Sequence, residues 1–160
     1  MGGATAHVAG LITSAVRLAP SAARSRRTRL SSGGVHRMTV VRVLIVDDQA
    51  PYLSAMRAVV DATGGFEVAG ESSSGEEALV AADALLPDLV LVDVNLPGID
   101  GLEVTRRLRG RPSPPVVLLL STYDEDAGAR FIAECGAAAY VTKSAFGPDR
   151  LVEAWAAATV

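Results

Sequence analysis

The stretch Val40-Val41-Arg42-Val43-Leu44-Ile45-Val46-Asp47-Asp48 decides the fold. It is rich in β-branched residues and almost unbroken in apolar character, as expected of a strand buried on both faces of a parallel sheet. It then ends abruptly in two carboxylates. Parallel strands need long crossovers, and the residues that follow supply them. Pro51 opens a helical stretch to about Ala62, Gly64-Gly65 closes it, and Phe66 to Gly70 reads as a second strand. Ser74 is placed to cap a helix from Gly75 to about Leu85, with Glu76 and Glu77 near its positive end.

The alternation continues to the end of the chain. Leu89 to Val94 is a third strand, followed by the turn Asn95-Leu96-Pro97-Gly98 and a helix from Gly101 to Arg109. Pro112, Pro114 and Pro115 break that helix, and Val116 to Leu120 is a fourth strand. Asp124 to Glu134 forms the fourth helix, which Cys135-Gly136 ends, and Ala138 to Thr142 is a short fifth strand. Asp149 to Ala158 is a final helix with Leu151, Val152 and Trp155 on its apolar face. Five strands alternating with five helices imply an α/β fold, an open parallel sheet covered on both faces.

Upstream lies a segment of different character. Residues 1–37 hold six arginines (Arg17, Arg24, Arg26, Arg27, Arg29 and Arg37) and no acid. Signal-peptide, twin-arginine export and organelle transit readings each meet an obstacle, because the arginines follow the weakly apolar stretch Val8 to Ala19 and no apolar core follows them. The favoured reading is that residues 1–38 are a disordered tail, or sequence upstream of a true start at Met38, with one domain at 39–160. Of the chain's charges, residues 38–160 carry the remaining 9 basic and all 18 acidic ones, a net of −9. A body so acidic should repel a nucleic-acid backbone, so no direct nucleic-acid binding is expected. The single cysteine, Cys135, allows no intramolecular disulfide and fits a small buried side chain in a reduced, cytoplasmic compartment. No run approaches the length needed to span a bilayer.

Open α/β sheets bind ligands outside the carboxyl ends of their strands. Here those ends are Asp47-Asp48, Asp93, Ser121-Thr122 and Lys143. A lone Asp-Asp often only caps a helix, and a lone Lys in a loop is usually solvated. Together on one rim they point elsewhere. Clustered acids repel unless a cation sits among them, and Mg²⁺ favours such oxygens while keeping open positions. A metal held this way neutralises charge while a carboxylate such as Asp93 attacks phosphorus, with Lys143 and the Ser121 hydroxyl on the remaining phosphoryl oxygens.

The segments Val43 to Gln49, Asp88 to Gly101, Ser121-Thr122 and Gly136 to Lys143 together resemble the receiver domain of two-component response regulators, over about residues 40–158. The resemblance implies a flavodoxin-like, doubly wound sheet of order 2-1-3-4-5. It implies that Asp93 is the phosphoacceptor, that Asp48 binds Mg²⁺ directly with Asp47 as its partner, and that the Asn95 backbone carbonyl is a further ligand. Ser121 resembles the switch hydroxyl, Tyr140 the aromatic that follows it, and Lys143 the phosphate-contacting lysine. A histidine kinase is the implied phosphoryl donor. The implied output is a downstream protein or a homodimer through the face of helix four, strand five and helix five. Such a domain catalyses its own phosphorylation and dephosphorylation and is not a conventional enzyme. Two departures stand out: Ser144 follows the lysine where many relatives have Pro, and the chain ends after the fifth helix. The wording Ser121-Thr122-Tyr123-Asp124-Glu125-Asp126 is closest to receivers that precede a helix-turn-helix domain.

Three alternatives remain. A haloacid-dehalogenase-like phosphatase would want Asp-x-Asp and a cap. A phosphorylation-independent scaffold tends to lose an acid or the lysine. A truncated DNA-binding regulator would have further sequence. The small residues Gly128, Ala129, Ala133, Ala137 and Ala139 read as tight packing or as a flat docking face, with packing favoured.

Overall fold

Five parallel strands, β1 (Val41–Val46), β2 (Phe66–Ser72), β3 (Leu89–Asp93), β4 (Val116–Ser121) and β5 (Ala139–Thr142), lie side by side in the order β2-β1-β3-β4-β5. This is a computed structural model, and it describes residues 17–18, 28–30 and 37–160. The crossovers are α1 (Ala50–Ala62), α2 (Gly75–Leu85), α3 (Gly101–Arg109) and α4 (Glu125–Cys135), and α5 (Pro148–Ala158) closes the chain. The flavodoxin-like order expected above is the one observed. Among the described residues, no helix is long and apolar enough to cross a membrane.

Strand alternation divides the core in two. Leu44, Val46, Val90, Val92 and Leu119 pack against α2, α3 and α4, where Ala78, Ala81, Leu102, Val104 and Leu108 meet them. Val43, Ile45, Leu89, Leu91 and Leu118 face α1 and α5, closed by Met56, Val60, Leu151 and Ala154. The central strand β3 is buried along its whole length, so its apolar run has no polar side to show. Ser74, Asp100 and Asp124 cap α2, α3 and α4 by accepting from Glu77, Glu103 and Ala127 N–H groups, each cap contributing about 1 kcal/mol.

Several boundaries differ from the sequence expectation. β2 continues two residues past Gly70 to Ser72, because a register shift between Val43 and Leu44 lets it keep pairing with β1 as far as Val46. β3 ends at Asp93, and Val94 N–H bonds instead to the Leu120 carbonyl. On α5, Val152 points to solvent, and Ala154 takes its place beside Leu151 and Trp155 on the buried face. Spacings of three and four from Leu151 satisfy the helical period better than a neighbour at one.

Upstream, Arg17–Leu18 pairs antiparallel with Glu71 and Gly70 at the outer edge of β2. Thr28–Leu30 and Arg37–Thr39 form a separate antiparallel pair. The expectation of a disordered tail or an upstream start otherwise lies outside the described residues.

Candidate functional site

The carboxyl ends of β1, β3 and β5 come together on the α1/α5 side of the sheet. Val46 pairs with Val92, so Asp47 and Asp93 follow on adjacent strands and alternate to the face of Ile45 and Leu91. Lys143 follows Val141 in the same phase, at the start of a 3-10 turn over Lys143–Ala145. Its Nζ donates to Asp47 Oδ2 at 2.7 Å and to Asp93 Oδ2 at 3.2 Å. The three side chains are 8, 0 and 5% exposed. That burial sets them apart from an ordinary surface ion pair, which contributes little.

Asp48 is exposed, two residues beyond the end of β1. Even so, one carboxylate oxygen each from Asp47, Asp48 and Asp93 lie within 4.8 Å of one another. Three hard oxygen donors at that spacing, open to water through Asp48, fit Mg²⁺. Asp47 is held in orientation by the Gln49 N–H at 2.9 Å, and Asp93 by the Asn95 N–H at 3.3 Å. Burial and then the neighbouring Asp47 charge push the Asp93 carboxyl above its ordinary range, against the opposing pull of Lys143. For Lys143, burial disfavours the charge, but the Asp47 hydrogen bond and the two carboxylate charges outweigh it and raise its pKa. Lys143 is thus a firmly protonated cation beside an Asp93 carboxyl whose ionisation is opposed by burial.

The loop after Asp93 is pinned from two directions. Gly101 begins α3 so close beneath it that a Cβ there would sit 2.9 Å from Val94 Cα and closer still to the Asp93 carbonyl. Glu76, from the first turn of α2, accepts the Ile99 N–H at 3.0 Å. Asn95 lies in this loop, exposed.

Ser121 and Tyr140 lie on the other side of the sheet. Ser121 pairs with Thr142 and alternates with Leu119 toward α4. Its Oγ accepts weakly from Tyr123 N–H at 3.5 Å. Tyr140 is buried, its hydroxyl donating to the Tyr123 carbonyl at 2.6 Å and its ring tilted against Phe131. Burial above all raises its phenol pKa. The slot for the ring exists because residue 128 has no side chain: a Cβ on Gly128 would lie 2.5 Å from Tyr140 Cγ. Of the small residues singled out in the sequence, Gly128 and Ala137 are buried packing positions, whereas Ala129 and Ala133 are exposed. Gly128→Ala is therefore expected to expel the Tyr140 ring. Overpacking costs about 1–3 kcal/mol, and the better helix propensity of Ala returns up to about 1. Urea unfolding should show a net loss of stability, with the Tyr140 ring resonances shifted; unchanged resonances would show that the helix moves instead.

Three contributors have no role at the site in the sequence reading. Glu76 was read only as a favourable charge near a helix start, and Gly128 only as one of several small residues. Tyr52 is the third: its ring lies under the Lys143 ammonium, 3.6 Å from Nζ to the ring centroid. Nothing in the local sequence around Tyr52 signals this, because its partner is contributed from the far end of the chain.

A doubly wound parallel sheet bearing three acids and a buried lysine on one carboxyl rim defines a class of signalling module. A family model described as the response regulator receiver domain matches residues 43–156, and the chain belongs to that family, the receiver domains of two-component signalling. Among relatives, it is 40% identical over 116 residues to the response regulator GacA of Pseudomonas viridiflava, covering 72% of this chain and 53% of that one. It is 32% identical over 105 residues to the transcriptional regulatory protein LiaR of Bacillus subtilis strain 168, covering 66% and 50%. Among solved structures, the receiver domain of the putative response regulator NarL from Mycobacterium tuberculosis superposes with a TM-score of 0.67 at 30% identity, covering 76% of this chain and 98% of that one. The chain spans about half the length of these curated relatives.

Proposed function

We propose that this receiver takes a phosphoryl group onto Asp93 from the phosphohistidine of a histidine kinase, with Mg²⁺, and that the modification switches a partner-binding face. The observation that carries the reading is the set of three carboxylate oxygens within 4.8 Å, with a buried lysine bridging two of the acids. Asp48 and Asp47, with the Asn95 carbonyl and Asp93 itself, are the groups that would hold the metal. When bound, Mg²⁺ supplies positive charge that offsets the acids and the incoming phosphoryl oxygens.

The chain's own residues carry the rest. An Asp93 carboxylate oxygen forms the new bond to phosphorus as the bond from phosphorus to the histidine nitrogen breaks, and the electron pair leaves with the imidazole. Lys143 holds Asp93 in place beforehand and afterwards exchanges a carboxylate oxygen for a phosphoryl oxygen. Ser121 turns its hydroxyl toward that group. Tyr140 follows, leaving its bond to the Tyr123 carbonyl, and so alters the surface of α4, β5 and α5. Water attack on the acyl phosphate resets the site.

The test is intact-mass analysis after incubation with acetyl phosphate, with and without Mg²⁺. One phosphoryl adduct that requires the metal is the expected result. No adduct and no Mg²⁺ binding would favour a receiver-like scaffold in which the acids are structural. For the output, phosphorylated and unphosphorylated protein are expected to separate on a sizing column if a second copy is the partner. Identical elution would leave a different protein as the target.

A further inference from the structure

We propose that Tyr52 is a positioning residue for Lys143, its ring face replacing water as the third partner of the ammonium. The inference rests on the reading above, in which Lys143 serves the phosphoryl group, and it adds a residue that this reading does not contain.

An ammonium has three N–H donors and no acceptor. Two are engaged by Asp47 Oδ2 and Asp93 Oδ2. The Tyr52 ring lies 3.6 Å from Nζ to its centroid, well inside the range in which a ring quadrupole attracts a cation. With the lysine side chain only 8% exposed, water has little access to the third donor. The backbone that carries the ring is anchored. Tyr52 sits in the first turn of α1, its N–H bonded to the Gln49 carbonyl at 3.0 Å. Below it, Met56, Val59, Leu120 and Phe146 line an apolar recess shared with Lys143. The lysine stem thus runs through an apolar slot, and its charged end is confined to the side where the acids are. A flexible four-carbon stem otherwise samples many rotamers, and ordering it costs free energy each time the phosphoryl oxygen must be met. Tyr52 removes that freedom in advance. The phenol hydroxyl is not needed for this; the ring is.

The test compares Tyr52→Leu, Tyr52→Phe and wild type, and repeats Tyr52→Leu in a Lys143→Ala background. With acetyl phosphate and saturating Mg²⁺, Tyr52→Leu should be phosphorylated about three- to tenfold more slowly, with Mg²⁺ affinity no weaker. Tyr52→Phe should keep most of the rate. In NMR spectra the Lys143 ε-methylene protons should be shielded by the ring in wild type and Tyr52→Phe, and lose that shielding in Tyr52→Leu. In the Lys143→Ala background, Tyr52→Leu should slow the reaction no further. A wild-type rate in Tyr52→Leu, or an equal slowing without the lysine, overturns the positioning role and leaves the phosphoacceptor reading intact. Wild-type protein that takes up no phosphoryl group overturns both.

Discussion

Asp93→Asn is expected to take up no phosphoryl group from acetyl phosphate at any Mg²⁺ concentration, and to be more stable than wild type when metal is absent. The first half follows from chemistry: a carboxamide oxygen carries no charge with which to attack phosphorus. The second half follows from electrostatics. The Asp93 carboxyl is pushed above its reference value of 3.8 by burial and by Asp47. A carboxyl with a raised folded-state pKa favours the native state below its unfolded pKa, and that contribution is lost as pH rises through the folded value. At neutral pH an ionised Asp93 therefore opposes folding, and Asn, shaped like the protonated acid, removes the opposition. Thermal melts in chelator should place Asp93→Asn above wild type at neutral pH. The gap should close toward the unfolded pKa of about 3.8 and shrink when Mg²⁺ is added. A lower melting temperature for the variant at neutral pH would mean that the Lys143 contact outweighs the repulsion.

Lys143→Ala is expected to have the opposite effect on stability and a large effect on rate. It strands Asp47, fully buried, beside Asp93 with no cation between them. Removing one partner of a buried pair costs about 3–5 kcal/mol. The upper end needs complete burial, and the exposed Asp48 shows that this rim opens to water on one side. The lysine's pKa is raised above 10.5, so its contribution is complete at neutral pH and is lost only as pH rises through that folded value. Urea unfolding in chelator should therefore show the full deficit at neutral pH. The deficit should narrow in acid as the Asp93 carboxyl, its pKa raised, takes up a proton, and narrow again with Mg²⁺. Loss of one fixed charge from the developing phosphoryl site should slow phosphorylation by about a hundredfold, the scale of removing one electrostatic donor. If stability fell but the rate held, Lys143 would be a structural bridge only.

The two variants share one cause, which the rim makes visible. The site stores repulsion between acids that the fold tolerates only because a lysine sits among them. A divalent cation or a phosphoryl group bound there would act on that same balance.

How much of this was legible beforehand depends on the range of each interaction. Unbroken apolar runs such as Val43 to Val46 and Leu89 to Val92 report burial on both faces, and Gly64-Gly65, Asn95 to Gly98 and Gly136 report where the chain must turn; these are local signals. The class of the fold and the strand on which each polar residue sits follow from them, because parallel topology sends every strand's carboxyl end to the same rim. Strand order came from resemblance to a family, since periodicity alone says nothing of which strands pair. Tertiary structure alone decided what each rim residue touches. Alternation sends Asp47, Asp93 and Lys143 to one face and Ser121 with Tyr140 to the other, and that phase depends on register across four strands. The seat of Tyr140 against Gly128, the Glu76 tether to Ile99, and Tyr52 beneath Lys143 all join residues from different elements. No periodicity within one element can encode such a contact, because a side chain's partner across the fold is set by packing and not by its neighbours in the chain.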